Sequence, residues 1–313
     1  MLKTSSVKSD RMFFESNGKI LLSSEYLVLD GAKSIALPSK LTQSLSVDKY
    51  VDDSILWESY DHDENLWFKE KFKFKKGKLV YENKKNSISN KLISLLNHIH
   101  KFNDISNSLG KKFITRLNFK REWGLGTSST FVNNLAQWAK VDPYQLLFSS
   151  FKGSGYDIAC CSKKNPITYS INNNSISVKN IKLDKMFRDN VYLVYLGRKQ
   201  NTQKSIESYY KSSIDKKNSI NKINTITKSI IECKNLFEFE NLIEQHESII
   251  SDLISINPIQ KSIFSDYKEG KIKSLGSWGG DFILATSKNN DMSYFKNKGF
   301  NTIFPLSAIL YID

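Results

Sequence analysis

Between residues 12 and 74 apolar and polar residues alternate in short runs, among them KILLSSEYLVL, SIALPSK, QSLSVDKY and LWFKEKFKF. Period-two alternation places one face of a segment in a core and the other in water, so strands and hairpins are expected here. The period changes at 88–102, where Ile88, Leu92, Leu95, Leu96 and Ile99 share one helical face. Alternation returns in FITRLNF at 113–119. Phe131, Leu135, Trp138 and Ala139 then recur at spacings of three and four, predicting a helix that starts at Thr127 or Ser128, either of which can cap it. VDPYQLLFSS reads as a second short helix with Pro143 in its first turn, and GSGYDIACC as a third from Ser154. PITYSI and SISVKNI flank a hairpin signal at Asn172–Asn174, and a first domain is expected to end near residue 182. The remainder reads as a strand, VYLVYLG, three or four helices between 202 and 269, the segment IKSLGSWGGDFILATS, and a closing strand pair in TIFPLSAILYID. That order suggests an α+β sandwich. KSSIDKKNSINKINTITK is polar enough to be expected as a mobile helix.

A chain of 313 residues suits two ordinary domains, and 40% hydrophobic with 25% charged residues is a soluble globular composition. No apolar run approaches the ~18 residues of a membrane span, and the N-terminus lacks the apolar core of a signal peptide. A cytoplasmic protein with no membrane partner is expected. The net charge of +14 raises nucleic acid as a partner, but the lysines are spread along a chain rich in Lys, Asn, Ile and Ser. A lysine-rich solvated surface and no nucleic-acid partner is the expectation. Cys160, Cys161 and Cys233 cannot build a disulfide framework, and His62, His98, His100 and His246 fall in no zinc pattern.

Three glycine-rich turns carry the chemistry: GLGTSS at 124–129, GSGYDIA at 153–159 and GSWGGD at 276–281. Glycine lets backbone N–H groups approach an anion closely, and such turns at helix starts hold phosphates. One turn runs into Thr127, Ser128 and Ser129, another presents Asp157, and the third ends in Asp281. A phosphate cradle, hydroxyls for a metal and a carboxylate able to take a proton suit phosphoryl transfer.

With GKILLSSEYLVLDG at 18–31, these turns in this order resemble the GHMP kinase superfamily over nearly the whole chain. YLVLDG, GSGYDIA and the GGD of Gly279, Gly280 and Asp281 most resemble phosphomevalonate kinases, and a group of bacterial GHMP kinases is named for the GYDIA string. The resemblance implies a two-domain α+β fold: an N-terminal α/β domain, 1–182, with a left-handed crossover, and a C-terminal ferredoxin-like α/β sandwich, 183–313. Neither a Walker A motif nor a protein-kinase H-R-D motif is present, so GLGTSS must hold the nucleotide.

Residue by residue, the resemblance implies that Gly124, Leu125, Gly126, Thr127, Ser128 and Ser129 wrap the phosphates of ATP, with Ser128 on Mg²⁺. It makes Asp157 the catalytic aspartate and Lys19 the lysine beside it. Trp123 suits an adenine pocket or the core equally. The second Mg²⁺-binding glutamate of mevalonate kinases has no counterpart in 144–150, and Glu25 is a candidate substitute. Glu25, Tyr26, Gly155, Arg198, Lys199, Gly279, Gly280 and Asp281 are the expected substrate-binding residues, Arg198 and Lys199 neutralising a small anionic acceptor. Each has a plainer reading as cap, turn or solvated lysine. The implied activity is ATP-dependent phosphorylation of phosphomevalonate or mevalonate by a monomer or homodimer. The alternatives are a diphosphomevalonate decarboxylase-like enzyme and a catalytically silent ligand-binding protein.

Overall fold

The computed structural model describes residues 11–82, 86–151, 153–173, 175–198, 202–278 and 280–312. Packing divides them into two compact units that interleave along the chain, one drawn from 11–16, 42–120 and 128–151, the other from 17–41, 121–127 and 153–312. Strands β1 (Met12–Leu21) and β2 (Ser34–Lys49) each contribute to both, so this partition differs from a single cut near residue 182.

In the first unit, β3 (Ile55–Tyr60), β4 (Leu66–Lys75), β5 (Lys78–Tyr81) and β6 (Lys111–Leu117) follow, in the order β5-β4-β3-β6-β2. β3 and β6 pair in parallel and the other neighbours are antiparallel. A parallel pair needs a crossover, and helix α1 (Ser87–Phe102) lies on that connection. Asn86 caps α1, its Oδ1 accepting the Ile88 and Ser89 N–H groups at 2.9 and 2.8 Å. Leu92, Leu95, Leu96 and Ile99 are buried as their spacing implies, but Ile88, in the first turn, is 40% exposed. Helices α2 (Thr127–Ala139) and α3 (Pro143–Ser150) complete the unit, the latter capped by Asp142. Trp57 stacks on Phe113 at 5.1 Å, and Trp138 of α2 meets Phe113 edge-on at 4.8 Å. That contact joins helix to sheet.

In the second unit, β7 (Ile167–Asn172) pairs with the first residues of β2 and turns back as β8 (Ser175–Asn180). The short helix α4 (Tyr156–Cys160) precedes them. It starts two residues later than expected because Gly155, at φ +86°, occupies the left-handed N-cap position. After the turn α5 (Met186–Asp189), strands β9 (Val191–Tyr195), β10 (Ile272–Ser274), β11 (Phe282–Thr286) and β12 (Ile303–Pro305) form an antiparallel sheet ordered β10-β11-β9-β12. Helices α6 (Thr202–Lys211), α7 (Lys216–Glu232), α8 (Leu236–Ile254) and α9 (Ile259–Ser262) connect β9 to β10, and α10 (Ser293–Asn297) connects β11 to β12. This strand-helix-strand-strand-helix-strand order is the ferredoxin-like arrangement. Val194, Ile283 and Ala285 pack there with Phe264, Tyr267 and Phe295.

Two expectations are corrected. The polar segment around 211–228 forms most of α7, which buries Ile223, Ile226 and Ile230 at helical spacing and so packs rather than stands free. TIFPLSAILYID is not a strand pair. β12 ends at Pro305, the helical turn α11 (Leu306–Ile309) follows, and Leu310 makes one isolated antiparallel bridge to Ser39.

Candidate active site

Of the expected residues of the second unit, Gly124, Asp157 and Asp281 gather around Lys19. Lys19 lies on β1, and its backbone N–H donates to the Leu125 carbonyl at 2.9 Å. Gly18 beside it has no room for a side chain, since a Cβ there would come within 2.8 Å of the Leu125 carbonyl oxygen. β1 therefore lies flat against the loop at 124–126. That approach brings Lys19 Nζ to the Gly124 carbonyl at 3.1 Å and over the Tyr156 ring at 5.5 Å. Burial alone would lower the Lys19 ammonium, but Tyr156 and then Asp157 outweigh it and the pKa is raised. The Tyr156 hydroxyl is also raised, chiefly by burial, with Lys19 opposing.

Asp157 stands in the first turn of α4, where its Oδ1 accepts the Ile158 N–H at 3.0 Å. It makes no ion pair with Lys19 within 4.0 Å; the two act on each other through charge, with Tyr156 beside both. Burial, reinforced by Asp157, pushes the Cys160 thiol far up, so Cys160 stays protonated and is no nucleophile.

Gly124 and Gly126 sit at φ +66° and +90°, the left-handed region that favours glycine. At Gly124 the reason is also steric, because a Cβ would strike the Asp281 carboxylate. Asp281 itself sits at φ +50°, its N–H donating to the Arg198 carbonyl at 2.7 Å and its carbonyl accepting the Leu196 N–H at 2.8 Å. The third glycine turn is thus laced to the end of β9 with its carboxylate turned to the first. Lys19, Trp123, Gly124, Tyr156, Gly276 and Asp281 line a pocket of about 30 Å³. Leu125 is fully buried, and α2 begins at Thr127 with Ser128 exposed and Ser129 buried in its first turn.

Arg198 lines a separate cavity of about 210 Å³ with Asn257, Ser274 and Trp278. The Trp278 indole is 1% exposed and its Nε1 has no partner among the described residues. Gly280 is buried. Lys199 and Gly279 lie outside the described residues.

Glu25 and Tyr26 are placed differently from expectation. Glu25 is 1% exposed, and its Oε1 accepts a hydrogen bond from the equally buried Lys273 ammonium. Burial raises the Glu25 carboxyl despite Lys273. Beside it His246 is held neutral by burial, with its Nε2 accepting the Ser24 N–H at 2.9 Å. One oxygen of Glu25 is thus taken by Lys273, while Oε2 has no hydrogen-bond partner among the described residues. Tyr26 stacks on Tyr209 at 5.7 Å, and the Tyr209 hydroxyl donates to Asp30. Neither Glu25 nor Tyr26 lines the Lys19 pocket. Trp123 packs edge-on to Phe282 and Phe304 at 5.7 and 5.4 Å, an aromatic cluster on the ferredoxin-like sheet.

Among the described residues no group of three or more His, Cys, Asp or Glu is arranged to hold a metal ion. Mg²⁺ is bound through one or two protein oxygens and the substrate's phosphates.

Sequence reasoning missed Gly18, Tyr156 and Lys273. Gly18 and Tyr156 flank the two residues assigned to catalysis and were legible as neighbours. Lys273, one of 46 Lys and Arg residues, carried no signal.

No family model matches the sequence, and no curated protein matches it. Solved structures do match its fold. The mevalonate kinase of Methanococcus jannaschii is 16% identical, with 95% of this chain and 98% of that one covered and a TM-score of 0.66. The Streptococcus pneumoniae phosphomevalonate kinase in complex with phosphomevalonate and AMPPNP is 15% identical, with 94% and 99% covered and a TM-score of 0.66. The Lactococcus lactis galactokinase complexed with galactose is 12% identical, with 96% and 93% covered and a TM-score of 0.64. The likeness extends over the length of each chain and is one of fold: this chain has the α+β fold of the GHMP kinases.

Proposed function

We propose that the protein is an ATP-dependent phosphotransferase acting on a small anionic alcohol or phosphate, with phosphomevalonate ahead of mevalonate as acceptor. The observation that carries the reading is the convergence on Lys19 of the loop at 124–126 and the Tyr156–Asp157 turn, with the Gly124 carbonyl 3.1 Å from its ammonium. The fold shared with the mevalonate and phosphomevalonate kinases and a galactokinase supports kinase chemistry and leaves the acceptor to the site.

In this reading the backbone N–H groups of 124–129, from the loop into the first turn of α2, receive the β- and γ-phosphates, aided by the positive end of that helix. Ser128 offers its hydroxyl to Mg²⁺, which would neutralise charge on the transferring phosphoryl group. The accepting oxygen, that of an alcohol or, for phosphomevalonate, of its phosphate, forms a bond to γ-phosphorus as the bond to the β-phosphate oxygen breaks, leaving ADP. Asp157 accepts the proton that this oxygen carries, an alcohol O–H or a monoprotonated phosphate O–H. Lys19 remains cationic throughout, since its pKa lies above the ordinary lysine value, and it offsets charge on the transferring group. The anionic end of the acceptor is assigned to Arg198. Lys199, Gly155, Gly279 and Gly280 complete the proposed acceptor contacts, with a functional boundary near residue 182. No helix among the described residues is long and apolar enough to cross a membrane, and a cytoplasmic monomer or homodimer is proposed.

The reading is tested by ADP release with Mg·ATP against mevalonate, phosphomevalonate, diphosphomevalonate, homoserine and galactose in parallel. Phosphomevalonate is expected to give the highest kcat/KM. Release of carbon dioxide from diphosphomevalonate would favour the decarboxylase reading. Silence with all five would contradict the proposed acceptor class.

A further inference from the structure

Backbone bonds fix where the Lys19 side chain starts. The Asn17 N–H donates to the Cys161 carbonyl at 2.8 Å, just past the end of α4, and the Lys19 N–H donates to the Leu125 carbonyl at 2.9 Å. They do not fix where it ends, because lysine carries its charge at the tip of a flexible four-carbon stem. Two contacts do that: the Gly124 carbonyl, 3.1 Å from Nζ, and the Tyr156 ring, whose centroid lies 5.5 Å from it. The ammonium makes no ion pair with Asp157, although that carboxylate acts on it through charge.

Tyr156 is itself anchored. It is the first residue of α4, where the Tyr169 hydroxyl donates to the Ser154 carbonyl at one end and Asn17 is bonded at the other. Its half-buried ring shares the pocket of about 30 Å³ with Lys19, Gly124 and Asp281. Burial raises the Tyr156 hydroxyl, so the phenol is neutral near pH 7 and meets the ammonium as an aromatic face rather than as a counter-ion. The titratable groups around it are Lys19 of β1, Asp157 and Cys160 of α4 and Asp281 of the third glycine turn, and Cys160 stays protonated.

A freed ammonium would turn to the neighbouring carboxylate, and a carboxylate in an ion pair is a weaker base. We propose that Tyr156 is a positioning residue whose ring holds the Lys19 ammonium on the Gly124 carbonyl and so keeps it from pairing with Asp157. The cation stays on the loop assigned to the nucleotide, and the carboxylate stays free to take a proton. The catalytic consequence rests on the phosphotransferase reading; the hold on Lys19 does not.

Tyr156→Phe keeps the ring, whereas Tyr156→Leu keeps an apolar side chain without an aromatic face. Crystal structures of both full-chain variants read the hold without any activity. In Tyr156→Phe the Lys19 Nζ should remain on the Gly124 carbonyl. In Tyr156→Leu it should leave that carbonyl and come within about 4 Å of an Asp157 oxygen. Steady-state kinetics with Mg·ATP and the best acceptor of the panel read the consequence. Tyr156→Phe should keep kcat within about threefold of wild type, and Tyr156→Leu should lower it about tenfold with KM for ATP unchanged. The acid limb of the kcat/KM profile should move down by about one pH unit in Tyr156→Leu alone, a shift that lost packing does not produce. Tyr156→Met repeats that arm with an unbranched side chain if Tyr156→Leu does not fold. The proposal is overturned if Lys19 stays on Gly124 in Tyr156→Leu, if that variant keeps wild-type kcat, or if Tyr156→Phe is as impaired as Tyr156→Leu. A wild-type protein silent with every acceptor would remove the phosphotransferase reading, and the crystal structures would still decide the hold on Lys19.

Discussion

Replacing Lys273 with Met keeps the apolar stem and removes only the ammonium that faces Glu25. Both side chains are 1% exposed, so the variant strands a carboxylate in the interior. Glu25 then escapes its charge by binding a proton. At pH 7, protonating a carboxyl whose unfolded pKa is 4.5 costs at most about 3 kcal/mol, each pH unit counting for about 1.4 kcal/mol. That ceiling meets the range of about 3–5 kcal/mol for breaking a buried pair on one side. In the variant the folded pKa of Glu25 lies further above 4.5, so the stability it contributes is full below 4.5 and is lost as pH rises. The neighbours act in the same sense: Lys273 lowers both Glu247 and His246, and without it both move up. The loss relative to wild type should therefore be at most about 3 kcal/mol at pH 7 and at most about 1 kcal/mol at pH 5, since the raised wild-type Glu25 already bears part of that cost. Urea unfolding followed by tryptophan fluorescence at both pH values measures it. Adding Glu25→Gln to Lys273→Met should recover most of the loss at pH 7. A Lys273→Met variant within 1 kcal/mol of wild type at pH 7, or equally damaged at both pH values, would refute the buried-pair account.

Gly124→Ala puts a Cβ against the Asp281 carboxylate at φ +66°, a backbone region costing an L-residue about 1 kcal/mol or more, so ATP affinity by calorimetry should fall about tenfold with an unchanged far-ultraviolet circular dichroism spectrum. Burial works to raise the Glu58 carboxyl, but Lys112, Tyr60 and Lys69 outweigh it and hold it at about 2. Its contribution is present above pH 4.5 and is lost as pH falls toward 2, so Glu58→Gln should cost on the order of 3 kcal/mol at pH 7 and progressively less in acid, as read by urea unfolding across that range. Arg198→Ala should raise KM for the anionic acceptor far more than KM for ATP in steady-state kinetics; equal effects on both would count against its assignment.

The helices were the most legible part of the chain because local chemistry specifies them. Asn86, Asp142, Asp215 and Asn235 each cap a helix with their own side chain, and the apolar spacing of α1 marks its buried face, whereas in α2 only Leu135 and Ala139 of the expected face are buried and Phe131 and Trp138 are half-buried. Periodicity identifies a face but not where the core ends, which is why Ile88 keeps its register in α1 and still reaches solvent. Alternation misled at the C-terminus, where Pro305 ends β12 and serves as the N-cap of a helical turn. In the candidate site, Lys19 and Asp157 were legible from their motifs, and the glycine φ values at 124, 126 and 155 follow from the turns. The placement of Glu25 was not legible. Its partner Lys273 is 248 positions away, and only the fold that brings Lys273 of β10 to Glu25 turns a candidate ligand into half of an interior ion pair.

The phosphotransferase reading rests most heavily on Asp157. Asp157→Asn keeps the size of the side chain and an acceptor for the Ile158 N–H, but removes its basicity and the charge it sets against Lys19. General-base contributions are typically about 10²- to 10⁴-fold, or roughly 3 to 5 kcal/mol of barrier. With Mg·ATP and the best acceptor of the panel, acceptor-dependent ADP formation by Asp157→Asn should fall by that factor while ATP affinity, measured by calorimetry, is retained. A variant with near-wild-type kcat would contradict the account, since an aspartate that only accepts the Ile158 N–H in the first turn of α4 is replaced by asparagine almost without loss.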